Sequence, residues 1–338
     1  MNFYHLSHTD LDGYTCQFVT KQLYPYGHFV NANYGEEVIA RINEILALIE
    51  KDPKESFFLI TDLNLNPEEA AYLDERVRQL QQSFPLKLQL LDHHLSGLET
   101  SLRYEWYHLD STKSASLITF NYFQNDSLKK YEKLIEAVNA VDIWLSEEEA
   151  FEFGKVLMRA IDEAKEINRI TFTAENLAYR HHMLESALEY LSKPQGHIAF
   201  DDDLWAVKKQ FFIQEKNDTM DNLITTYILR LLSEKRELMT ITYKEYKGIL
   251  TYGIQNSSIV GNAFLKAHPE YHFFMNVSPR GTFSLRADNK MDVSLMADAI
   301  AGGGGHPNAS GGKIKEFKEF FIYEELKSFI EEYLKERS

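Results

Sequence analysis

Phe57-Phe58-Leu59-Ile60-Thr61-Asp62 is a run of strand length, rich in aromatic and β-branched residues, that stops at an acid. A continuous apolar run this short fits a strand covered on both faces, the kind found in parallel sheets. The same pattern recurs on either side of it. Residues 2–7, 28–33 and 86–91 read as further strands, and helical patterns separate them: residues 13–24, then Ile39, Ile42, Leu46 and Ile49, then a helix opened by Pro67. Strands alternating with helices predict an α/β fold with a parallel sheet over residues 2–145. Acidic and histidine clusters fall directly after three of these strands. Ligands of open α/β sheets bind at the carboxyl ends of strands, so the clusters should meet in one crevice.

Further along, residues 127–192 read as mostly helical up to the break Pro194-Gln195-Gly196. After the acidic triplet Asp201-Asp202-Asp203, the spacing of Ile224, Ile228, Leu231 and Leu232 predicts a linker helix. Strand patterns over 238–246, 248–252, 271–277 and 282–287, with a helix over 258–267, predict a smaller α/β domain. The expected division is therefore 1–192, a helical linker 193–237, and 238–338, in keeping with 338 residues at about 150 per domain.

Thirty-six Lys and Arg against 51 Asp and Glu give a net charge of −15, which offers no basic track for a long polyanion and argues against a duplex DNA binder. A phosphate substrate is still compatible with this charge if the acids are gathered on divalent metals, because the ions reverse the local sign. No apolar run approaches the roughly 20 residues of a bilayer span. The start Met1-Asn2-Phe3-Tyr4-His5 lacks the features of a signal peptide, and one cysteine, Cys16, cannot form an internal disulfide, so a cytoplasmic location is expected.

Four clusters could carry chemistry. In His8-Thr9-Asp10-Leu11-Asp12-Gly13, an extended chain would project positions 8, 10 and 12 to one side, a mixed N/O set that suits Mn²⁺; alternatively Asp12 caps a helix. Asp62 ends the apolar strand and by itself could be a loop cap. Asp92-His93-His94 follows the strand over 86–91, and paired histidines behind a buried strand are uncommon in a satisfied core. Asp142 sits among apolar residues of a predicted helix, where a buried acid needs a partner or a metal. Elsewhere, His181-His182 reads as solvent-facing, the acidic triplet as a loop or helix start, and Cys16 as packing.

Together, His8-x-Asp10-x-Asp12-Gly13, Asp62, Asp92-His93-His94 and Asp142 resemble the four motifs of the DHH phosphoesterase superfamily. Thr112-Lys113-Ser114-Ala115-Ser116 resembles a further segment of that family. Ser284-Leu285-Arg286 and Gly302-Gly303-Gly304-Gly305-His306 are similar to its associated C-terminal domain, and the length is nearest to the oligoribonuclease branch. The resemblance implies two divalent ions, Mn²⁺ first, with His8 and Asp10 on one, Asp12, His93 and Asp142 on the other, and Asp62 bridging. Asp62 and His94 would be catalytic, His94 facing the substrate phosphate, while a hydroxide shared by the two ions attacks it. Arg286, Gly303, Gly304, Gly305 and His306 would bind substrate. The implied activity is hydrolysis of short single-stranded RNA to nucleoside monophosphates. The alternatives are hydrolysis of linear or cyclic dinucleotides or of 3′-phosphoadenosine 5′-phosphate, or a nucleotide-binding sensor without catalysis; a homodimer is compatible with any of these.

Overall fold

The computed structural model describes residues 1–337, arranged in two compact units. The first holds Met1–Ala164 with Leu177–Lys208, and the second holds Lys165–Asn176 with the chain from Lys209 onward. The segment read as a linker, 193–237, is shared between them.

In the first unit strands and helices alternate: β1 (Asn2–Ser7), α1 (Leu11–Leu23), β2 (His28–Asn31), α2 (Glu36–Lys51), β3 (Ser56–Thr61), α3 (Pro67–Gln81), β4 (Leu86–Asp92), a single-turn α4 (Leu98–Ser101), β5 (Tyr107–Leu109) and α5 (Ala115–Phe123). The five strands lie in the order β2-β1-β3-β4-β5, every pair parallel. The chain leaves β1 toward β2 and returns to β3 on the other side, which puts the topological switch between β1 and β3. All six residues of β3 are buried. Phe58 and Ile60 pack with Ile42, Ile45 and Ile49 of α2 and Leu73 and Val77 of α3. Phe57 turns to the opposite face, against Phe3, Tyr24 and Phe123. Burial of each such side chain contributes about 1.5–3 kcal/mol, so β3 is the axis of the unit. The start of α3 is fixed by chemistry the sequence displays: Asn66 accepts from the Glu69 backbone while the Glu69 carboxylate accepts from Asn66, and Pro67 fills the first helical position.

Four helices follow, α6 (Glu132–Asp142), α7 (Ala150–Asp162), α8 (Thr173–Ala187) and α9 (Gly196–Phe212). Two expectations fail here. His181 is buried rather than solvent-facing, its ring edge-on to Phe18, and burial drives its imidazole down to about 3; His182 is partly buried with Nε2 3.0 Å from the Val207 carbonyl. The acidic triplet is neither a loop nor a helix start but lies mid-way along α9, where Asp201 pairs with Arg159 and Asp203 accepts from Tyr190.

The second unit contains α10 (Met220–Met239), β6 (Thr240–Tyr243), β7 (Tyr246–Tyr252), α11 (Ser257–Ala267), β8 (Phe273–Val277), β9 (Thr282–Ala287), α12 (Val293–Ala301), β10 (Gly304–His306), β11 (Ala309–Lys313) and α13 (Tyr323–Lys335). Its sheet has the order β10-β11-β9-β8-β7-β6, with β7 and β8 parallel and the remaining pairs antiparallel. The stretch 238–246 is not one strand, because α10 runs on to Met239 and β6 turns into β7 through Lys244 at φ +52°. Among the described residues no helix is long and apolar enough to cross a membrane.

Candidate metal centre and active site

The clusters meet at the carboxyl ends of β1, β3 and β4, the side of the sheet where the switch point lies. His8 leaves β1, and Asp10 caps α1, its Oδ1 accepting from the Gly13 backbone at 3.0 Å. The cap is thus Asp10 and not Asp12, and Asp12 is helical, so strand alternation is not what aims it. A Cβ at Gly13 would lie 2.5 Å from the His8 carbonyl oxygen, and only glycine lets the first turn of α1 close onto β1. Asp12 instead points at α5. Both of its oxygens accept backbone hydrogen bonds there, Oδ2 from Ala115 at 2.6 Å and Oδ1 from Ser116 at 2.9 Å. Ser114 caps that helix through Leu117, and its own N–H donates to Asn139 of α6 at 2.9 Å. This last bond joins the Thr112–Ser116 segment to the helix whose final residue is Asp142.

Asp62 follows β3 in the left-handed region, φ +57°. Aspartate tolerates this conformation better than most residues, but it costs energy and recurs at functional sites. Its carboxylate is buried, and neither oxygen has a hydrogen-bond partner. Around it stand His8 Nδ1 at 3.7 Å from Oδ2, His93 Nε2 at 3.4 Å from Oδ1 and His94 Nδ1 at 4.0 Å from Oδ1. His8 Nδ1 is 2.7 Å from Asp10, and His93 Nε2 is 3.4 Å from Asp142. Three sets could each hold an ion: His8, Asp10 and Asp62; Asp62, His93 and His94; and Asp12, His93 and Asp142, with the candidate ligand atoms of each set within 4.8 Å of one another. A buried carboxylate with two orphaned oxygens, encircled by imidazoles and further carboxylates, is a donor set fitted to divalent ions.

The proton affinities of the cluster reflect the same crowding. Burial, reinforced by Asp10 and Asp12, pushes Asp62 well above the usual carboxylate range. Burial followed by the charge of Asp12 raises Asp142 to about 8, and burial also raises Asp12. At His8, burial would lower the imidazole, yet the hydrogen bond to Asp10 and the charges of Asp10 and Asp62 win and raise it to about 10. Asp10 falls to about 2 because pairing with His8 outweighs its burial.

Asp92 serves differently from the other acids. It is fully buried, accepts from the Tyr107 hydroxyl at 2.7 Å, and holds His94 Nδ1 at 2.7 Å, which fixes the ring and leaves Nε2 uncommitted to Asp92. Tyr34, in the loop after β2, had no spacing signal in the sequence. Its ring centroid lies 5.1 Å from that of His8 and 5.9 Å from that of His94, and its hydroxyl is 3.4 Å from either nitrogen of His94.

In the second unit, Arg286 on β9 and His306 on β10 are both register partners of Ala309 on β11, so all three share one face of the sheet. Ser284, Gly311 and Gly304 form the neighbouring row on that face. The glycine run is divided between elements: Gly302 ends α12 at φ +60°, and Gly304 and Gly305 belong to an edge hairpin. A Cβ at Gly303 would meet the Gly311 carbonyl at 2.4 Å, whereas one at Gly304 would meet nothing within 4 Å. Gly303 is therefore needed for packing, and Gly304 leaves the face bare. Arg286 also donates to Ser258 in the first turn of α11, a helix without a side-chain cap. The polar run Gln255-Asn256-Ser257-Ser258 was the available signal for that contact.

No protein-family model matches the chain. It is 41% identical over 347 aligned positions to a 3′,5′-cyclic-nucleotide phosphodiesterase of Helicobacter pylori, covering 98% of each chain. It is 25% identical to oligoribonuclease NrnB of Bacillus subtilis, covering 95% of this chain and 75% of that one. A crystal structure of an uncharacterized protein from Helicobacter pylori G27 superimposes with a TM-score of 0.94 at 39% identity, over 99% of both chains. With a phosphodiesterase matched from end to end, and with the histidines and aspartates of four separate motifs gathered at one sheet edge, the chain is a phosphoesterase and belongs to the DHH phosphoesterase superfamily.

Proposed function

We propose that the chain is a metal-dependent phosphodiesterase that cleaves 3′,5′-phosphodiester bonds in small nucleotides. The observation that carries this reading is the buried Asp62 carboxylate, orphaned at both oxygens between His8 and Asp10 on one side and His93 and Asp142 on the other. His8, Asp10 and Asp62 would hold one divalent ion, and Asp12, Asp62, His93 and Asp142 the second, with Mn²⁺ suited to this N/O set. Such ions, when bound, act as Lewis acids that ease deprotonation of water and neutralise charge at the phosphate. The chain supplies the rest. Asp62 fixes the spacing of the two ligand groups, the α5 N-terminus orients Asp12, and Asp92 orients His94, whose Nε2 can donate to a phosphate oxygen when the ring carries both protons. Arg286 and His306, sharing one face with the bare backbone of Gly304 beside Gly303 and Gly305, would bind a nucleotide phosphate or sugar. A cytoplasmic site of action fits the single buried cysteine.

Two substrates share the bond. The full-length likeness to a cyclic-nucleotide phosphodiesterase favours 3′,5′-cyclic nucleoside monophosphates, and the likeness to NrnB favours short RNA. The test is kcat/KM with Mn²⁺ for a cyclic mononucleotide, a linear and a cyclic dinucleotide, 3′-phosphoadenosine 5′-phosphate, and RNAs of five and 24 residues. Turnover of the small diesters with neglect of the long RNA is expected. A long RNA cleaved as efficiently as the short ones would replace this reading with a processive exonuclease, and tight nucleotide and metal binding without product would make the protein a sensor.

A further inference from the structure

We propose that Tyr34 is a substrate-contacting residue whose hydroxyl donates a hydrogen bond to a non-bridging oxygen of the scissile phosphate, beside His94. The inference rests on the phosphodiesterase reading and extends it to a residue that none of the family motifs includes. Tyr34 stands beyond the end of β2, with its ring tilted against His8 at 5.1 Å and edge-on to His94 at 5.9 Å and 81°. It therefore lies against a candidate metal ligand and against the imidazole assigned to the substrate phosphate at once.

A tyrosine that only packed there would be buried and would commit its hydroxyl proton to a neighbouring acceptor. Tyr34 is 44% exposed. The hydroxyl is 3.4 Å from both His94 nitrogens, equally far from each, which is long and poorly aimed for a hydrogen bond to either. His94 Nδ1 is already engaged by Asp92 at 2.7 Å. The Asn64 backbone N–H acts on the Tyr34 oxygen, and a phenol keeps its proton at neutral pH, so the hydroxyl can donate. The hydroxyl proton is thus a donor beside His94, whose Nε2 becomes a second donor when the ring carries both protons, next to the carboxylate assigned to the metals. A phosphodiester oxygen is the acceptor that such a pair fits, since charge builds on it during displacement.

The experiment compares wild type, Tyr34→Phe and Tyr34→Ala on a 3′,5′-linked dinucleotide and on bis-p-nitrophenyl phosphate, with Mn²⁺ affinity measured separately by calorimetric titration. Removing one such donor costs roughly 100-fold in kcat. Tyr34→Phe should lose about that factor on both substrates, with KM, Mn²⁺ affinity and melting temperature unchanged. Its preference between the two phosphorothioate diastereomers of the dinucleotide, in which sulfur replaces one non-bridging oxygen, should collapse. Wild-type kcat in Tyr34→Phe would overturn the proposal. So would a loss confined to the dinucleotide with the diastereomer preference intact, which would make the ring a base platform, or weakened Mn²⁺ binding, which would make it a support for His8. Wild-type protein inert toward both substrates would overturn the phosphodiesterase reading itself, a result distinct from these three.

Discussion

Asp62→Asn separates the chemistry of the centre from the stability of the fold. Asparagine is the apt replacement because residue 62 sits at φ +57°, a conformation Asn accepts and Ala does not readily adopt. In the metal-free protein the Asp62 carboxylate is a liability: it is buried, it is unpaired at both oxygens, and its proton affinity is raised by burial and by the charges of Asp10 and Asp12. An unsatisfied buried polar group costs about 1–3 kcal/mol, so the neutral amide should leave metal-free stability unchanged or raise it by up to that amount. The loaded protein should behave in the opposite way. At a metal concentration 100 times the dissociation constant, binding to the native state alone stabilises by about 2.7 kcal/mol, and Asp62→Asn should forfeit most of that together with turnover. Urea unfolding with EDTA and with Mn²⁺, run beside metal stoichiometry and the rate on bis-p-nitrophenyl phosphate, measures all three quantities. A folded Asp62→Asn protein with near-normal activity and metal content would sink the shared-ligand assignment. A loss of several kcal/mol in EDTA would show that Asp62 is structural.

Asp12→Ala should behave otherwise: because its carboxylate binds the Ala115 and Ser116 N–H groups, it should destabilise even the EDTA-treated protein, by about 2–4 kcal/mol in urea unfolding, as well as abolish turnover. His181 should steepen acid denaturation. Its imidazole is lowered to about 3 by burial, so between about pH 3 and 6.5 the unfolded chain binds the extra proton and stability falls as pH falls; in EDTA, His181→Gln should flatten that limb by on the order of a few kcal/mol. Arg286→Ala and His306→Ala should keep both metals yet lower kcat/KM on nucleotides by at least about 10-fold while sparing bis-p-nitrophenyl phosphate, since they act on a remote part of the substrate; equal losses on both would move them to the chemical centre. Salt should matter little: one or two phosphate contacts at about −0.7 each predict a roughly 3- to 7-fold fall in kcat/KM from 50 to 200 mM salt, and a thousandfold fall would reveal a long basic track.

The parallel sheet could be read in the sequence because β3 is a dense apolar run buried on both faces, β4 alternates apolar with polar residues before Leu90-Leu91, and each is followed by an acid or a histidine pair. The clusters did meet, but for a reason the sequence pattern misstated. Asp12 is not aligned with His8 by strand alternation; it is brought round by the first turn of α1 and held by α5, a contact 103 residues distant in sequence. Glycine-rich β10 and β11 were illegible because strand propensity resides in side chains they lack. His181 was misread from its polar neighbours, although Leu177, His181 and Leu184 recur at helical spacing and all are buried. Tyr34 has no periodic signature, since a loop residue is aimed by tertiary structure alone.

The acids of this chain are unevenly placed, and that placement is what reconciles a charge of −15 with an anionic substrate. Asp10, Asp12, Asp62 and Asp142 contribute up to four negative charges around His8 and His93, and raised proton affinities at Asp12, Asp62 and Asp142 show that they resist being charged together. Protons can relieve the crowding, as can two divalent ions, whose four positive charges would match the four carboxylates. Metal affinity should therefore compete with protonation of the cluster. With the carboxylates neutralised, attraction for phosphate is confined to the few ångströms around them and to the face bearing Arg286 and His306, while the remaining surface repels polyanions. Under the proposed function such a centre should select by size: a small diester would enter it without laying further phosphates along a surface of like charge, whereas a long strand would not.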